Sequence, residues 1–272
     1  MNFIRKVTKM IDVQNQQDDR GIEIQRVGVK DVHLPFQIKM KNGRLQQVQG
    51  NVQVSVNLPH QFKGTHLSRF MELLMAWSEK PIAGKEIRQL LAELCANLEV
   101  ATAEISLKFR YFLPIAAPVS QTIGYLDYLG EFKGSLYQPD NLFDFRLGVE
   151  IPVLSLCPCS KEISSYGAHN QRAIIRSLVK FKYPGKILWL EDLVEILRTQ
   201  GSCSVYPVLK RDDEKYVTET AYRNPKFVED ILRDSVIALR SEPRIQWFQV
   251  EVESYESIHN HSAFASHIES PE

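Results

Sequence analysis

Two thiols stand one residue apart in the stretch Ile151-Pro-Val-Leu-Ser-Leu-Cys157-Pro-Cys159-Ser-Lys161-Glu162. An apolar strand delivers them into a turn stiffened by Pro158. Ten residues after Cys159 comes His169, inside Tyr166-Gly-Ala-His169-Asn-Gln-Arg172. Thiolate and imidazole together suit a borderline divalent metal such as zinc or iron(II). A Cys-x-Cys pair alone reads equally well as two incidental thiols on a turn. The histidine at the start of the next element tips the balance toward metal or nucleophile chemistry. A catalytic metal takes three protein ligands and keeps one position open for water. The third ligand stays open at this level. Cys159 is one candidate. A carboxylate from the acidic segment Arg211-Asp-Asp-Glu214-Lys-Tyr-Val-Thr-Glu219 is the other, although such a charge run is ordinarily a solvated loop.

Three further groups carry possible chemistry. His259 and His261 form a His-x-His pair after the last expected strand, where alternation puts both rings on one side of an extended chain. They suit metal binding, proton donation or phosphate contact, or are incidental histidines of a chain end. Lys63-Gly-Thr-His66-Leu-Ser-Arg69-Phe precedes a predicted helix. A cation, a glycine and hydroxyls at a helix N-terminus are placed to meet an anion, with simple capping as the plainer account. Glu229 and Asp230 fall within a predicted helix, and only burial would give such an acid a role. The remaining thiols are structural: Cys95 sits in the apolar run Leu90-Leu-Ala-Glu-Leu-Cys95, and Cys203 is read the same way.

The elements that must position these groups follow from periodicity. Ile22 to Met40 contains an alternating strand. Asn42-Gly43 signals a hairpin, and Gln46 to Leu58 alternates again until Pro59. Thr65 to Trp77 carries apolar residues at helical spacing, with Thr65 or Ser68 as its expected cap, and Lys85 to Leu98 is a second helix. Ala103 to Phe112 is a strand, followed by a strand pair near Gln121 to Tyr137. Asn141 to Val153 and Arg172 to Lys182 are strands. Leu190 to Gln200 is a helix stopped by Gly201. Asn224-Pro225 opens another helix, which runs to about Arg240 with Pro225 in its first turn. Arg244 to Glu253 closes as a strand. The order strand, strand, helix, helix, strand thus occurs twice. It predicts an α+β chain of antiparallel sheets with helix pairs on one face. The expected division is a polar N-terminal tail (1–21) and two similar modules (22–138 and 139–272). Open sheet edges would be covered by self-association into a closed barrel.

Composition narrows the classes. The 272 residues are 44% hydrophobic and 24% charged, an ordinary globular balance. Thirty-three basic residues offset thirty-three acidic ones, so no global charge draws the chain to nucleic acid or membrane. No stretch reaches the roughly 18 apolar residues of a membrane helix, and the N-terminus lacks a signal-peptide core. The expected location is cytoplasmic. Four cysteines are too few for a disulfide scaffold.

Five of these motifs together resemble the type IB GTP cyclohydrolases: Lys63-Gly-Thr-His-Leu-Ser-Arg-Phe, Cys157-Pro-Cys-Ser-Lys, Tyr166-Gly-Ala-His-Asn-Gln-Arg, Leu209-Lys-Arg-Asp-Asp-Glu-Lys-Tyr-Val-Thr-Glu and His259-Asn-His. The resemblance spans about Ile24 to Ala265. It implies a tunnelling fold of two modules per subunit, paired into barrels in a homotetramer. It implies conversion of GTP and water to 7,8-dihydroneopterin triphosphate and formate, the entry to folate-type pterins and to queuosine precursors. It implies that Cys157, His169 and Glu214 bind one divalent metal (manganese, iron(II) or zinc), with Glu219 a rival to Glu214. Glu229 matches a buried acid that anchors guanine. His259 and His261 match active-site histidines, and Cys159 becomes a neighbouring thiol. Lys63, His66, Arg69, Lys161 and Arg211 are candidate triphosphate contacts. Two other readings remain: a nitrile reductase of the same fold with a cysteine nucleophile and NADPH, and a non-enzymatic metal- or pterin-binding module.

Overall fold

The structure is a computed structural model, and it describes residues 14, 16–181 and 187–270. In chain order the elements are β1 (Ile24–Lys39), β2 (Leu45–Leu58), α1 (Leu67–Ser78), β3 (Pro81–Ile82), α2 (Gly84–Leu98), β4 (Thr102–Ala116), β5 (Ile123–Tyr137) and β6 (Leu142–Leu156). They continue as α3 (Pro158–Ile163), β7 (Asn170–Phe181), α4 (Leu190–Leu197), β8 (Cys203–Ser204), α5 (Arg211–Arg223), α6 (Val228–Arg240), β9 (Ile245–Tyr255) and β10 (Ser262–Glu269). All the long strands join one sheet in the order β10-β9-β7-β6-β5-β4-β2-β1-β3, antiparallel except that the short β3 runs parallel to β1, with β8 paired to β6. The order strand, strand, helix, helix, strand, strand occurs twice, with α3, α5 and the two short strands added.

Alternation explains how one sheet carries one core. Along β4, Ala103, Ile105, Leu107, Phe109, Tyr111, Leu113 and Ile115 are buried, while Lys108, Arg110, Phe112 and Pro114 between them are exposed. A strand's side chains point to alternate faces, so this pattern fits a sheet covered on one side. Helix α1 packs on β1, α2 on β4 and β5, α4 on β6, and α6 on β9 and β10. Most of the buried side chains form one core drawn from Phe36 to Val252, and Leu156, Cys203 and Ala221 form a small second cluster. Polar contacts also cross the middle of the chain. Lys41 N–H and the Tyr111 hydroxyl both donate to Glu191 Oε1, at 2.9 and 2.7 Å. The hairpin between β1 and β2 turns at Asn42-Gly43 as expected. Gly43 takes φ +80, and its N–H donates to Met40 O at 3.0 Å.

Several expectations need correction. Gln121 to Tyr137 is not a strand pair. It holds one strand of fifteen residues, Ile123–Tyr137, whose whole length pairs with β4. Neither Thr65 nor Ser68 caps α1: His66 is the capping residue and makes no side-chain cap bond. The acidic segment is not a loop. It forms α5, because Asp213 bonds back to Lys210 N–H at 2.9 Å and the acids Asp212, Asp213 and Glu214 lie in its first turn, where the helix dipole favours negative charge. Helix α6 begins three residues after Pro225, at Val228. Asn224 closes α5, Lys226 N–H bonds to Leu156 O at 3.0 Å, and Asp230 Oδ2 accepts from Phe227 N–H at 3.0 Å to start the new helix. The chain does not close at Glu253, because β9 runs to Tyr255 and β10 follows it. Part of the expected N-terminal tail is paired: Lys63 and Gly64 N–H donate to Gln16 and Gln14 carbonyl oxygens, each at 3.1 Å. Residues 1–13 and Lys182, the expected end of β7, lie outside the described residues.

Candidate active site

Strands β6 and β7 pair through Leu156 and Asn170. One residue further out, Cys157 N–H donates to His169 O at 3.1 Å. The thiols therefore do not sit in an open loop. Cys157 is the capping residue of α3, with its Sγ accepting from Ser160 N–H at 3.4 Å and Pro158 in the first turn. Ser160 Oγ accepts from His169 N–H at 3.3 Å, so this turn clasps the backbone of His169 from two sides. Cys157 and His169 are half-buried, whereas Cys159 is exposed. The His169 ring lies with Nδ1 2.9 Å from Gln171 Oε1.

The other groups divide by position on the sheet. Ser254 of β9 pairs with Ala173 of β7, so the β9–β10 turn stands at the Cys157 end. It carries His259 and His261, both exposed, with rings stacked at 5.0 Å and 15°. Helix α5 borders the same end. Lys161 Nζ donates to Tyr222 O at 2.6 Å and lies 4.5 Å from the Tyr222 ring centroid. A groove of about 510 Å³ opens between Tyr166–Asn170 and α5, with Glu219 in its wall. Glu219 is half-buried and ion-paired to Arg223 at 2.7 Å. Glu214 and Arg211, in the first turn of α5, are exposed.

Lys63, His66 and Arg69 lie at the opposite end. Thr102, Tyr137 and Leu142 share a register line there, and β2 pairs its Val56 with Ala103 beside it. Lys63 follows the end of β2, whereas Cys157 follows the far end of β6. Fifteen residues of extended strand separate the two ends, about 50 Å. One subunit therefore does not bring both sets together. Arg69 Nη1 instead bonds to Asn97 O at 2.8 Å.

Two observations bear on the acids. Glu229 is exposed in the subunit rather than buried, because α6 turns Val228, Ile231, Ser235, Val236 and Leu239 inward and Glu229 falls on the other side. Among the described residues no three Cys, His, Asp or Glu side chains converge as a metal would require. Cys157 and His169 adjoin, but neither Glu214 nor Glu219 completes a set with them.

Helix α5 is fastened by Asp213, which is fully buried. Its carboxylate accepts from Val119 N–H and Ser120 N–H, both at 2.8 Å, and from the Ser120 hydroxyl at 2.6 Å. Burial pushes this carboxyl up, but the bonds from Ser120, Lys210 and Val119 outweigh it and hold the group well below the usual carboxylate range. Burial also pushes the Cys95 thiol up to about 11, and raises Cys203, in keeping with their structural reading.

With this geometry in place, the comparison with known proteins is direct. The family model described as "Type I GTP cyclohydrolase folE2" matches residues 10–265. The chain belongs to this family. It is 48% identical over 257 residues to GTP cyclohydrolase FolE2 of Geobacter sulfurreducens, covering 94% of this chain and 97% of that protein. It is 47% identical to FolE2 of Geotalea uraniireducens, covering 94% and 92%, and 46% identical to FolE2 of Magnetococcus marinus, covering 93% and 94%. Among solved structures it resembles uricases of Bacillus fastidious (TM-score 0.56, 10% identity, 91% of this chain and 94% of that chain) and Arthrobacter globiformis (TM-score 0.52, 9% identity, 91% and 94%). At such identity the likeness speaks for the fold alone. No helix among the described residues is long and apolar enough to cross a membrane.

In this family member, sequence reasoning passed over Ser160, Gln171, Asp213, Ser254 and Glu256. A usable signal existed for two of them. Gln171 and Ser254 occupy inward positions of β7 and β9, in line with Ala173 and Ile175 and with Val250 and Val252. A polar residue in such a row must find partners inside the protein.

Proposed function

We propose that the chain converts GTP and water to 7,8-dihydroneopterin triphosphate and formate, with Cys157 and His169 at the centre of the site. Membership of the family supports the reaction. The observation that carries the site is the clasp of Cys157 and His169 at one sheet end, beside α5 and the His259–His261 turn. The donor chemistry fits a divalent metal held by Cys157 and His169, with a carboxylate as third ligand. Glu214 is the proposed third ligand and Glu219 its rival. Manganese, iron(II) and zinc all suit such a set. When bound, the metal supplies a water whose pKa is lowered toward about 7.

The residues of the chain do the rest. Glu229 accepts from the N1–H and 2-amino groups of guanine, a paired contact that adenine cannot offer. His259 and His261 hold or deliver the proton needed at N7 as water adds to C8. The imidazole ring then opens, and a second water releases C8 as formate. The ribose rearranges and recloses on the freed amine with loss of one water, so the net reaction consumes one. Lys161 and Arg211 at this end, and Lys63, His66 and Arg69 at the far end, are proposed contacts of the triphosphate.

Because the two sets lie at opposite sheet ends, the proposed site draws Lys63, His66 and Arg69 from another copy of the chain. The sheet favours such assembly. Among the described residues the outer edges of β1 and β10 are unpaired along most of their length, and Phe264 and Ile268 of β10 are 69% and 60% exposed. We propose a homotetramer of tunnelling-fold subunits, each with modules 22–138 and 139–272. Incubation of purified protein with GTP and Mn²⁺, Fe²⁺ or Zn²⁺ tests the reaction. Formate and a pterin that fluoresces after oxidation are expected. NADPH consumption with a nitrile substrate, or no turnover with any of the metals, would contradict it.

A further inference from the structure

We propose that Gln171 is a positioning residue that fixes the neutral His169 ring as its Nδ1–H tautomer, leaving the Nε2 lone pair available to a metal. The use of that lone pair rests on the proposed function. The tautomer does not.

The direction of the Gln171 amide decides the matter. Gln171 is 9% exposed, so its amide must be satisfied inside the protein. Its Nε2 lies 3.3 and 3.4 Å from the two carboxylate oxygens of Glu256, and 3.3 Å from Ser254 Oγ. An ionised carboxylate only accepts, so the NH₂ end must face Glu256. The reversed amide would set its oxygen against the carboxylate and lose these bonds. The Oε1 end then faces His169 Nδ1 at 2.9 Å, with the Ser257 hydroxyl also donating to it at 3.4 Å. An amide oxygen only accepts, so Nδ1 must carry the hydrogen. A neutral imidazole has one N–H, so Nε2 keeps its lone pair.

Glu256 is held in turn. Ser254, 1% exposed, donates its hydroxyl to Glu256 Oε1 at 2.9 Å. Glu256 and Ser257 begin the turn that carries His259 and His261. The chain His169–Gln171–Glu256 therefore sets the imidazole and anchors the histidine pair's turn together. Outer partners of this kind orient metal-binding histidines and set their basicity.

Magic-angle-spinning NMR of metal-free protein labelled with ¹⁵N-histidine reads the tautomer directly, with His169→Gln identifying the signal. The expected spectrum has a protonated Nδ1 and a bare Nε2 at His169. In Gln171→Met, which keeps length but has no hydrogen-bonding end, both tautomers should appear. Affinity for Mn²⁺ and Zn²⁺, measured by competition with a chromophoric chelator, should fall by about 10- to 100-fold. Glu256→Gln should cause a smaller loss in the same direction, and it serves if Gln171→Met does not fold. A wild-type His169 protonated at Nε2 would overturn the proposal. So would a Gln171→Met protein with unchanged tautomer and affinity. If the wild type binds neither metal, the metal reading of the site fails, while the tautomer still decides the role of Gln171.

Discussion

The N–H of Cys157 donates to the carbonyl oxygen of His169 across 3.1 Å, one step beyond the last pair of β6 and β7. This bond turns a sequence separation of twelve residues into adjacency. The intervening residues form α3 and its return, and Ser160 ties that return to both partners. A thiol and an imidazole are thus held on the rigid end of a sheet rather than on a free loop.

The thiols should separate by role. Cys157→Ala is expected to lose bound metal and to lower kcat/KM by more than about 100-fold, beyond the usual effect of outer partners. Cys159→Ala, at the exposed neighbour, should keep its metal and most of its activity. Metal analysis of both variants checks this. Unchanged metal in Cys157→Ala would remove it from the site.

Substitution assigns the carboxylate ligand of the proposed set. Glu214→Gln should weaken Mn²⁺ binding strongly. Glu219→Gln should break its pair with Arg223 and leave metal affinity near wild type. The reverse ranking would transfer the role to Glu219. The test matters because α5 shows Glu219 in the groove beside Tyr166–Asn170, while Glu214 is exposed in the subunit.

Much of the fold was legible before the structure. Strict alternation at Val52, Val54 and Val56 and from Ile105 to Tyr111 marked long strands, and Asn42-Gly43 marked the hairpin between β1 and β2. The doubled element order gave the antiparallel α+β class. Helix α5 was not legible, because its first turn is a run of acids with few apolar residues. What makes it a helix is Asp213, bonded to Ser120 on a turn ninety-three positions away. Periodicity does not report such a contact. Cys157 and His169 were legible as a pair of residue types. The partners that orient them, Ser160 and Gln171, were not, because ordinary polar residues acquire meaning only from their neighbours in space.

Glu229→Gln tests guanine recognition apart from metal binding. The variant should fold, retain metal and raise the KM for GTP by roughly 10- to 100-fold, the scale of one or two charge-assisted hydrogen bonds. A wild-type KM would place the recognition acid elsewhere.

Stability in acid should depend on Glu269 of β10. Its carboxylate accepts from Arg240 Nε and Nη2 at 2.7 and 2.6 Å, and lies 2.7 Å from His267 Nε2. The bonds from Arg240, and then from His267, lower its pKa from an ordinary 4.5 to about 2. Folding therefore favours the charged form. The gain is complete above pH 4.5 and is lost as pH falls toward about 2. Glu269→Gln should lower the Tm near neutral pH, and the wild-type curve should fall toward the variant's across that window. A constant gap between the two curves would contradict this.

The most direct measurement follows carbon 8 of the purine. Protein loaded with Mn²⁺ is given [8-¹³C]GTP, and formate and pterin are quantified together by NMR. All of the label should appear in formate, in equal amount with 7,8-dihydroneopterin triphosphate, and Cys157→Ala should give neither product. Label retained in the purine or pterin product, or full turnover by Cys157→Ala, would contradict hydrolytic opening at C8 by this site.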